Sequence, residues 1–326
     1  MATQDGSKLL HKCASLGGDL DLATLLLEAG ADPQAEDSVR VPPSCYPRPP
    51  LRPHARPARP QSGATPLHRV AALGGSVELA RLLLNKGQAH ASGLEGPLGV
   101  AVRSGNVEVL KLLLSRGAQP GCSLNAAGDT PLHEAARRGN APAALALLDA
   151  GAAVDCVSSD GSTALLLAAT LGRADCVRLL LSRGAGADTP GAADATPLHL
   201  ACSFGHADSV VALLEGGAAC SKRTKDGHSA LHLACWGGHA ECARLLLEQG
   251  ADAGALTHAG YSPLHEAARK GHADCARLLL AAGASKAALT RAGETPHALV
   301  PADDLLLTSL LAPESEAPER ASQAQQ

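Results

Sequence analysis

A short motif recurs along this chain at a nearly fixed interval, and that interval restricts the fold more than any other feature. The tetrapeptide Thr-Pro-Leu-His starts at Thr65, Thr130 and Thr196, and related tetrapeptides start at Gly96, Thr163, Ser229, Ser262 and Thr295. The steps between successive starts are 31, 34, 33, 33, 33, 33 and 33 residues. A chain with that period is built from stacked copies of one small unit, each covering its neighbour's apolar face, rather than from a single closed core.

The letters within one period predict what the unit is. Thr or Ser at the start caps a helix, and the Pro after it sits where a missing N–H costs nothing. That first helix is short and stops at a glycine such as Gly139, Gly172, Gly205, Gly238 or Gly271. A second helix follows, with leucines on one face as at Leu245, Leu246 and Leu247. A further glycine ends it, since glycine tolerates the left-handed conformation that closes helices. Residues such as Lys225-Asp226-Gly227 then make a turn, or finger, leading to the next Thr or Ser. Composition agrees: apolar residues make up 45% of the chain but aromatics only 1%, namely Tyr46, Phe204, Trp236 and Tyr261. A core of Leu and Ala suits thin, closely packed helices.

The Thr-Pro-Leu-His motif and its spacing resemble the ankyrin repeat, over about residues 7–311. The resemblance implies an all-α repeat solenoid of stacked helix-turn-helix units with β-hairpin or turn fingers, about nine repeats in all. Residues 1–38 would be an N-terminal capping repeat, 62–311 repeats two to nine, and 312–326 a disordered polar tail. End repeats are expected to be atypical because one side faces solvent.

Three places break the pattern. In the third unit Gly96-Pro97-Leu98-Gly99 lacks the Thr and the His, and the unit is two residues short, which predicts a poorly formed finger. The turn at Ala192-Ala193-Asp194-Ala195 lacks the usual glycine, which predicts a strained or reshaped finger. Residues 39–61 hold eight prolines, and their removal restores an ordinary finger between the first two units. Three readings of this Pro/Arg-rich insert stand open: a disordered surface loop, an intron retained in the gene reading, or a ligand for a proline-binding groove through Pro47–Arg52.

Fourteen histidines and ten cysteines invite a metal reading, but the period assigns them elsewhere. His68, His133, His199, His232 and His265 share the fourth place of the motif; by the resemblance they hydrogen-bond between units. His206, His239 and His272 fall beside the inter-helix glycine and read as turn residues. Cys176, Cys242 and Cys275 share one place on the second helix, and Cys202 and Cys235 one on the first. Equivalent places in stacked helices lie about 10 Å apart, too far for a disulfide or a shared metal. Reduced, buried thiols are expected, with no metal and no cofactor. No phosphate-binding loop, nucleophile elbow or dinucleotide fingerprint occurs, so no enzyme is expected. Asp303-Asp304 reads as the start of a last helix.

The resemblance places a partner on the concave face made by fingers and first helices. Exposed positions there include Arg137-Arg138, Thr170-Leu171, Ser203-Phe204, Trp236-Gly237 and Arg269-Lys270. Phe204, Trp236 and Tyr261 fall in neighbouring units, and aromatics and Arg are the side chains enriched in binding hot spots. The expectation is a groove centred on repeats six to eight, with Phe204, Trp236 and Tyr261 as anchors and Lys222, Arg223, Lys225, Arg269 and Lys270 as a basic rim. It would take an acidic or amphipathic segment of another protein, acting as a scaffold or adaptor, and the chain would be a monomer. A regulatory protein masking an enzyme or transcription factor is the alternative; a ubiquitin-ligase substrate receptor is disfavoured by the polar stretch after Leu311. The net charge of −4 argues against nucleic acid and anionic membranes. With no signal-peptide-like start and no long apolar run, an intracellular protein, cytoplasmic or nuclear, is expected.

Overall fold

The computed structural model describes residues 2–16, 19–36, 64–73, 76–87 and 93–312. The insert at 39–61 and the tail from 313 lie outside the described residues. The chain divides into two compact units, Met1–Ala153 and Val154–Gln326. In the first, helices pair as α1 (Ala2–Ser15) with α2 (Leu20–Glu28), α3 (Pro66–Leu73) with α4 (Val77–Lys86), α5 (Glu95–Ser104) with α6 (Val107–Ser115), and α7 (Pro131–Arg138) with α8 (Ala141–Asp149). In the second, the pairs are α9 (Ala164–Thr170) with α10 (Ala174–Ser182), α11 (Pro197–Ser203) with α12 (Ala207–Glu215), α13 (Ala230–Gly237) with α14 (Ala240–Glu248), and α15 (Pro263–Lys270) with α16 (Ala273–Ala281). A 3-10 turn at His297–Leu299 and helix α17 (Leu305–Leu311) close the second unit. The fold is an all-α repeat solenoid, and its fingers take the turn form: among the described residues the strand-like pairing is confined to isolated bridges such as Val157 with Thr163.

The caps form where the sequence asks for them. Thr130, Thr196, Ser229 and Ser262 each close a capping box with the histidine three residues on. Asp304 caps α17 through the Leu307 amide at 3.0 Å. Apart from α4, which closes on Gly87 at φ −84°, the second helices end on a left-handed glycine; Gly250, at φ 80°, lets Ala251 donate back to the Leu246 carbonyl at 2.9 Å. Within each unit, first helices stack on first helices and second on second, as α11 does on α9 and α13, and α12 on α10 and α14. The core between them is Leu, Ala and Cys, with Leu198, Leu213, Leu231, Leu246, Leu264 and Leu279 all at or near zero exposure.

The departures have physical consequences. Helix α5 starts without a side-chain cap. A side chain at Gly96 would fall 2.4 Å from His68 Nε2, so the glycine leaves room for that ring. At the finger lacking its glycine, Ala193 and Asp194 themselves take φ of 56° and 58°, the only non-glycine residues in the left-handed region among those described. Across the insert, His11 Nε2 lies 2.9 Å from the Ala64 carbonyl, while its Nδ1 lies 2.7 Å from the Ser7 carbonyl. The Ala64 contact matches the bond from His232 to Tyr261 later in the chain, but its partners are 53 rather than 29 residues apart. The repeat before the insert therefore docks on the repeat after it in the ordinary way.

Candidate partner-binding surface

The surface is best read from the bonds that hold it. In each capping box of the second unit the histidine Nδ1 accepts the N-cap backbone N–H, as His232 does from Ser229 at 3.2 Å. That fixes the proton on Nε2, which donates across to the next finger: His199 to the His228 carbonyl at 3.2 Å, His232 to Tyr261 at 3.0 Å, His265 to Glu294 at 3.2 Å. These rings are buried, and burial disfavours their cations; His232 is held down at about 4. The second histidine set does more than turn the chain. His206, His239 and His272 reach back with Nε2–H to the carbonyls of Thr170, Ser203 and Trp236 at 3.1, 3.2 and 3.2 Å. The two sets fix both the fingers and the C-terminal ends of the first helices.

Those ends carry the candidate residues. Phe204 is 54% exposed and stacks on His206, with ring centroids 6.3 Å apart. Trp236 is 43% exposed, and the Lys270 ammonium stands 4.8 Å over its ring. Tyr261 is half-buried, its ring 5.4 Å beneath the Arg269 guanidinium. Arg269 is also paired with the buried Glu266 carboxylate at 2.6 Å. Trp236 and Lys270 are thus brought together, as are Tyr261 and Arg269. Arg223 braces the fingers instead of standing free: its guanidinium donates to the carbonyls of Leu256 at 2.6 Å and Gly227 at 3.2 Å. Lys222 and Lys225 are exposed on the same finger.

Sequence reasoning missed a row of leucines. Leu167, Leu200 and Leu233 occupy one position on α9, α11 and α13, one turn before Leu171, Phe204 and Trp236, and each is partly exposed. Leu167 and Leu171, Leu200 and Phe204, and Leu233 and Trp236 are spaced three or four residues apart, which puts each pair on one helix face. The result is an apolar stripe two side chains wide across three first helices, ending at Glu266, Arg269 and Lys270 on α15. The corresponding positions of the first unit are mixed: Arg69, Ala72 and Leu73 on α3, Val100, Arg103 and Ser104 on α5, and Glu134, Arg137 and Arg138 on α7. The signal was available: a position that takes Glu134 or Glu266 in other repeats is not obligatory core.

The cysteines also differ from the simple reading. Equivalent cysteines stay apart, but the Cys235 thiol, on a first helix, hydrogen-bonds the Cys275 sulfur on the second helix of the next repeat. The hydrogen bond holds Cys235 protonated and eases ionisation of Cys275. Both are buried, and all nine described cysteines are free thiols. No group of three or more His, Cys, Asp or Glu side chains among the described residues is arranged to hold a metal ion, and no described helix is long and apolar enough to cross a membrane.

Comparison with known proteins agrees with this architecture. The family described as ankyrin repeats (3 copies) matches over residues 51–124, 98–191 and 198–290. A single ankyrin repeat matches residues 5–38. The crystal structure of the human ASB11 ankyrin repeat domain is similar at 30% identity and a TM-score of 0.61, over 66% of this chain and 96% of that one. No curated protein sequence matches. The chain belongs to the ankyrin repeat family, whose repeats serve as protein-interaction scaffolds.

Proposed function

We propose that this chain is a non-catalytic scaffold or adaptor that binds a partner protein on the first-helix and finger face of its second unit. The observation that carries the reading is the apolar stripe from Leu167 to Trp236. Leu171, Phe204 and Trp236 are exposed at 40%, 54% and 43%, beside the partly exposed row Leu167, Leu200 and Leu233. Clustered exposed apolar side chains on a soluble face mark interaction sites. Phe204 and Trp236 serve as anchors, Tyr261 closes the finger side, and Lys270, Lys222 and Lys225 supply a basic edge with Arg269 and Arg223 behind it. The partner presents an acidic or amphipathic segment.

The described free thiols support a reading in which the protein works inside the cell, and in that reading it is a monomer. In this reading residues 1–38 are the N-terminal repeat, 62–311 the repeats that follow, 39–61 an insert between them in sequence and 312–326 the remaining polar stretch. Affinity capture on the full chain, compared between wild type and Phe204→Ala/Trp236→Ala, tests the surface. Loss of a specific partner from the double variant is expected; an unchanged set of partners sinks the reading.

A further inference from the structure

The stripe has a geometry that selects the shape of what lies on it; this inference rests on the functional reading above. Its rows cross α9, α11 and α13, which stack side by side at about 10 Å, the spacing of packed helices. One row is Leu167, Leu200 and Leu233; the other is Leu171 and Phe204, continued on α13 by Trp236, one residue before the equivalent Gly237. Each repeat therefore offers two apolar side chains, and the pair recurs about every 10 Å.

Three extended shapes can be tested against that lattice. An α-helix rises about 1.5 Å per residue, so seven residues advance roughly 10.5 Å, and one heptad presents two apolar positions on one face. A β-strand covers about 10 Å in three residues, and residues three apart point to opposite faces. It would seat a side chain at every second repeat only. A polyproline helix advances about 9.3 Å per three-residue turn but shows one side chain per turn on a given face. It would fill one row and leave the other open.

The charge pattern orients the occupant. The stripe ends where Lys270 lies over Trp236, and no carboxylate among the described residues pairs with that ammonium. Glu266 and Arg269 beside it neutralise each other. An occupant that covers Trp236 meets one uncompensated positive charge there, with Lys222 and Lys225 on a nearby finger.

We infer that the partner segment is an amphipathic α-helix with apolar residues in heptad pairs over about three heptads and an acidic residue at the end that overlies Lys270. Three display libraries of peptides about 21 residues long, enough for a helix to span three repeats and more than enough for either extended form, test this. One carries apolar residues in heptad pairs, one proline at every third position, and one apolar residues at alternate positions. Selection is run on the full chain and on a Leu171→Glu/Phe204→Glu variant, whose changes sit at exposed positions and whose folding is checked by circular dichroism. The heptad library enriches on wild type only, with acids gathered at one end. Titration of a selected peptide, read by the fluorescence of Trp236, the chain's single tryptophan, weakens about ten-fold in Lys270→Glu. Binding returns when the terminal acid of the peptide is exchanged for lysine. Enrichment of the proline or alternating library overturns the helix and leaves the surface standing. Equal enrichment on the variant, or no enrichment from any library on wild type over the variant, overturns the surface and the helix with it.

Discussion

The Nε2–H of His272 donates to the carbonyl oxygen of Trp236 at 3.2 Å, so a residue opening one repeat's second helix holds the aromatic anchor of the repeat before it. The bond depends on the glycine between them. Gly238 has φ 75°, and a side chain there would meet the His272 ring at 2.6 Å. His272→Ala is expected to lower stability by about 1 kcal/mol, the net worth of one hydrogen bond. Gly238→Ala is expected to lower it further, since the left-handed backbone alone costs about 1–2 kcal/mol. In the double variant the clash is gone and the backbone penalty stays, so the two losses do not add. Thermal unfolding of the three variants checks this; strict additivity would contradict the packing of His272 on Gly238.

Acid should unfold the protein through its capping-box histidines. Burial pushes His232 from its ordinary 6.5 down to about 4, and lowers His199 and His265 in the same way. Between those values the unfolded chain binds protons that the folded protein does not, so stability rises with pH. The contribution of His232 is fully present above pH 6.5 and disappears as the pH falls toward 4. One such proton corresponds to about 1.4 kcal/mol per pH unit. Urea unfolding at stepped pH is expected to show the slope in wild type and a slope about one proton smaller in His232→Asn, which is also less stable at neutral pH.

The thiols should be silent in the folded state. Burial pushes Cys176 and Cys242 up to about 11, and Cys202 is raised as well. A chromogenic disulfide reagent at neutral pH is expected to modify these residues only as fast as the second unit unfolds. Cys220 and Cys156, which are partly exposed, react earlier. Mass-resolved labelling that finds Cys202 or Cys176 modified while circular dichroism is unchanged counts against the buried arrangement.

What could be read without coordinates was whatever recurs. The period, the caps at Thr130 and Ser229, the glycine that ends each helix and the Asp304 cap are local, and local chemistry repeats with the sequence. What could not be read was which atom of the neighbouring repeat each side chain meets. Arg223 looks like a binding cation in the sequence, yet two carbonyls hold it, because the next finger's Leu256 lies within reach. Leu200 looks like core because it sits in an apolar helix, yet it is on the open side of the stack. The period relates cysteines at equivalent positions, while the contact that forms joins a first helix to the following second helix. Each miss is a relation between repeats, and the period alone does not carry it.

Ser209 stands where Cys176, Cys242 and Cys275 stand in neighbouring repeats. It is fully buried, and its hydroxyl has no hydrogen-bond partner. A buried unsatisfied polar group costs roughly 1–3 kcal/mol. Ser209→Cys, which keeps the shape and replaces the hydroxyl with a weakly polar thiol, is expected to stabilise the second unit by about 1 kcal/mol. Ser209→Ala gains less because it leaves a small void. Denaturant midpoints for the two variants check the order, and a loss of stability in both would mean that the hydroxyl is satisfied in solution.

Asp194 holds the place that Gly227 and Gly260 hold in the next two fingers, and it adopts their left-handed conformation at φ 58°. The strain has an evident return. In each finger the residue just before this place offers its carbonyl to the following finger: Ala193 to the Lys225 amide at 2.9 Å, Asp226 to His258 at 3.2 Å, Ala259 to Arg291 at 3.1 Å. Keeping that bond at the first of the three forces Asp194 into a region where a side chain costs about 1–2 kcal/mol, less for Asp than for most residues. Asp194→Gly removes the cost but frees the unfolded backbone, an opposing effect of about 0.5–1 kcal/mol. The expected outcome is a net gain of up to about 1 kcal/mol with the Lys225 amide still protected. Asp194→Val, whose branched side chain is excluded from this region, is expected to lose stability and to expose that amide. Hydrogen exchange at Lys225, read together with the unfolding midpoint, separates the two. Faster exchange in Asp194→Gly would show that the aspartate side chain, and not the backbone turn, holds the fingers together.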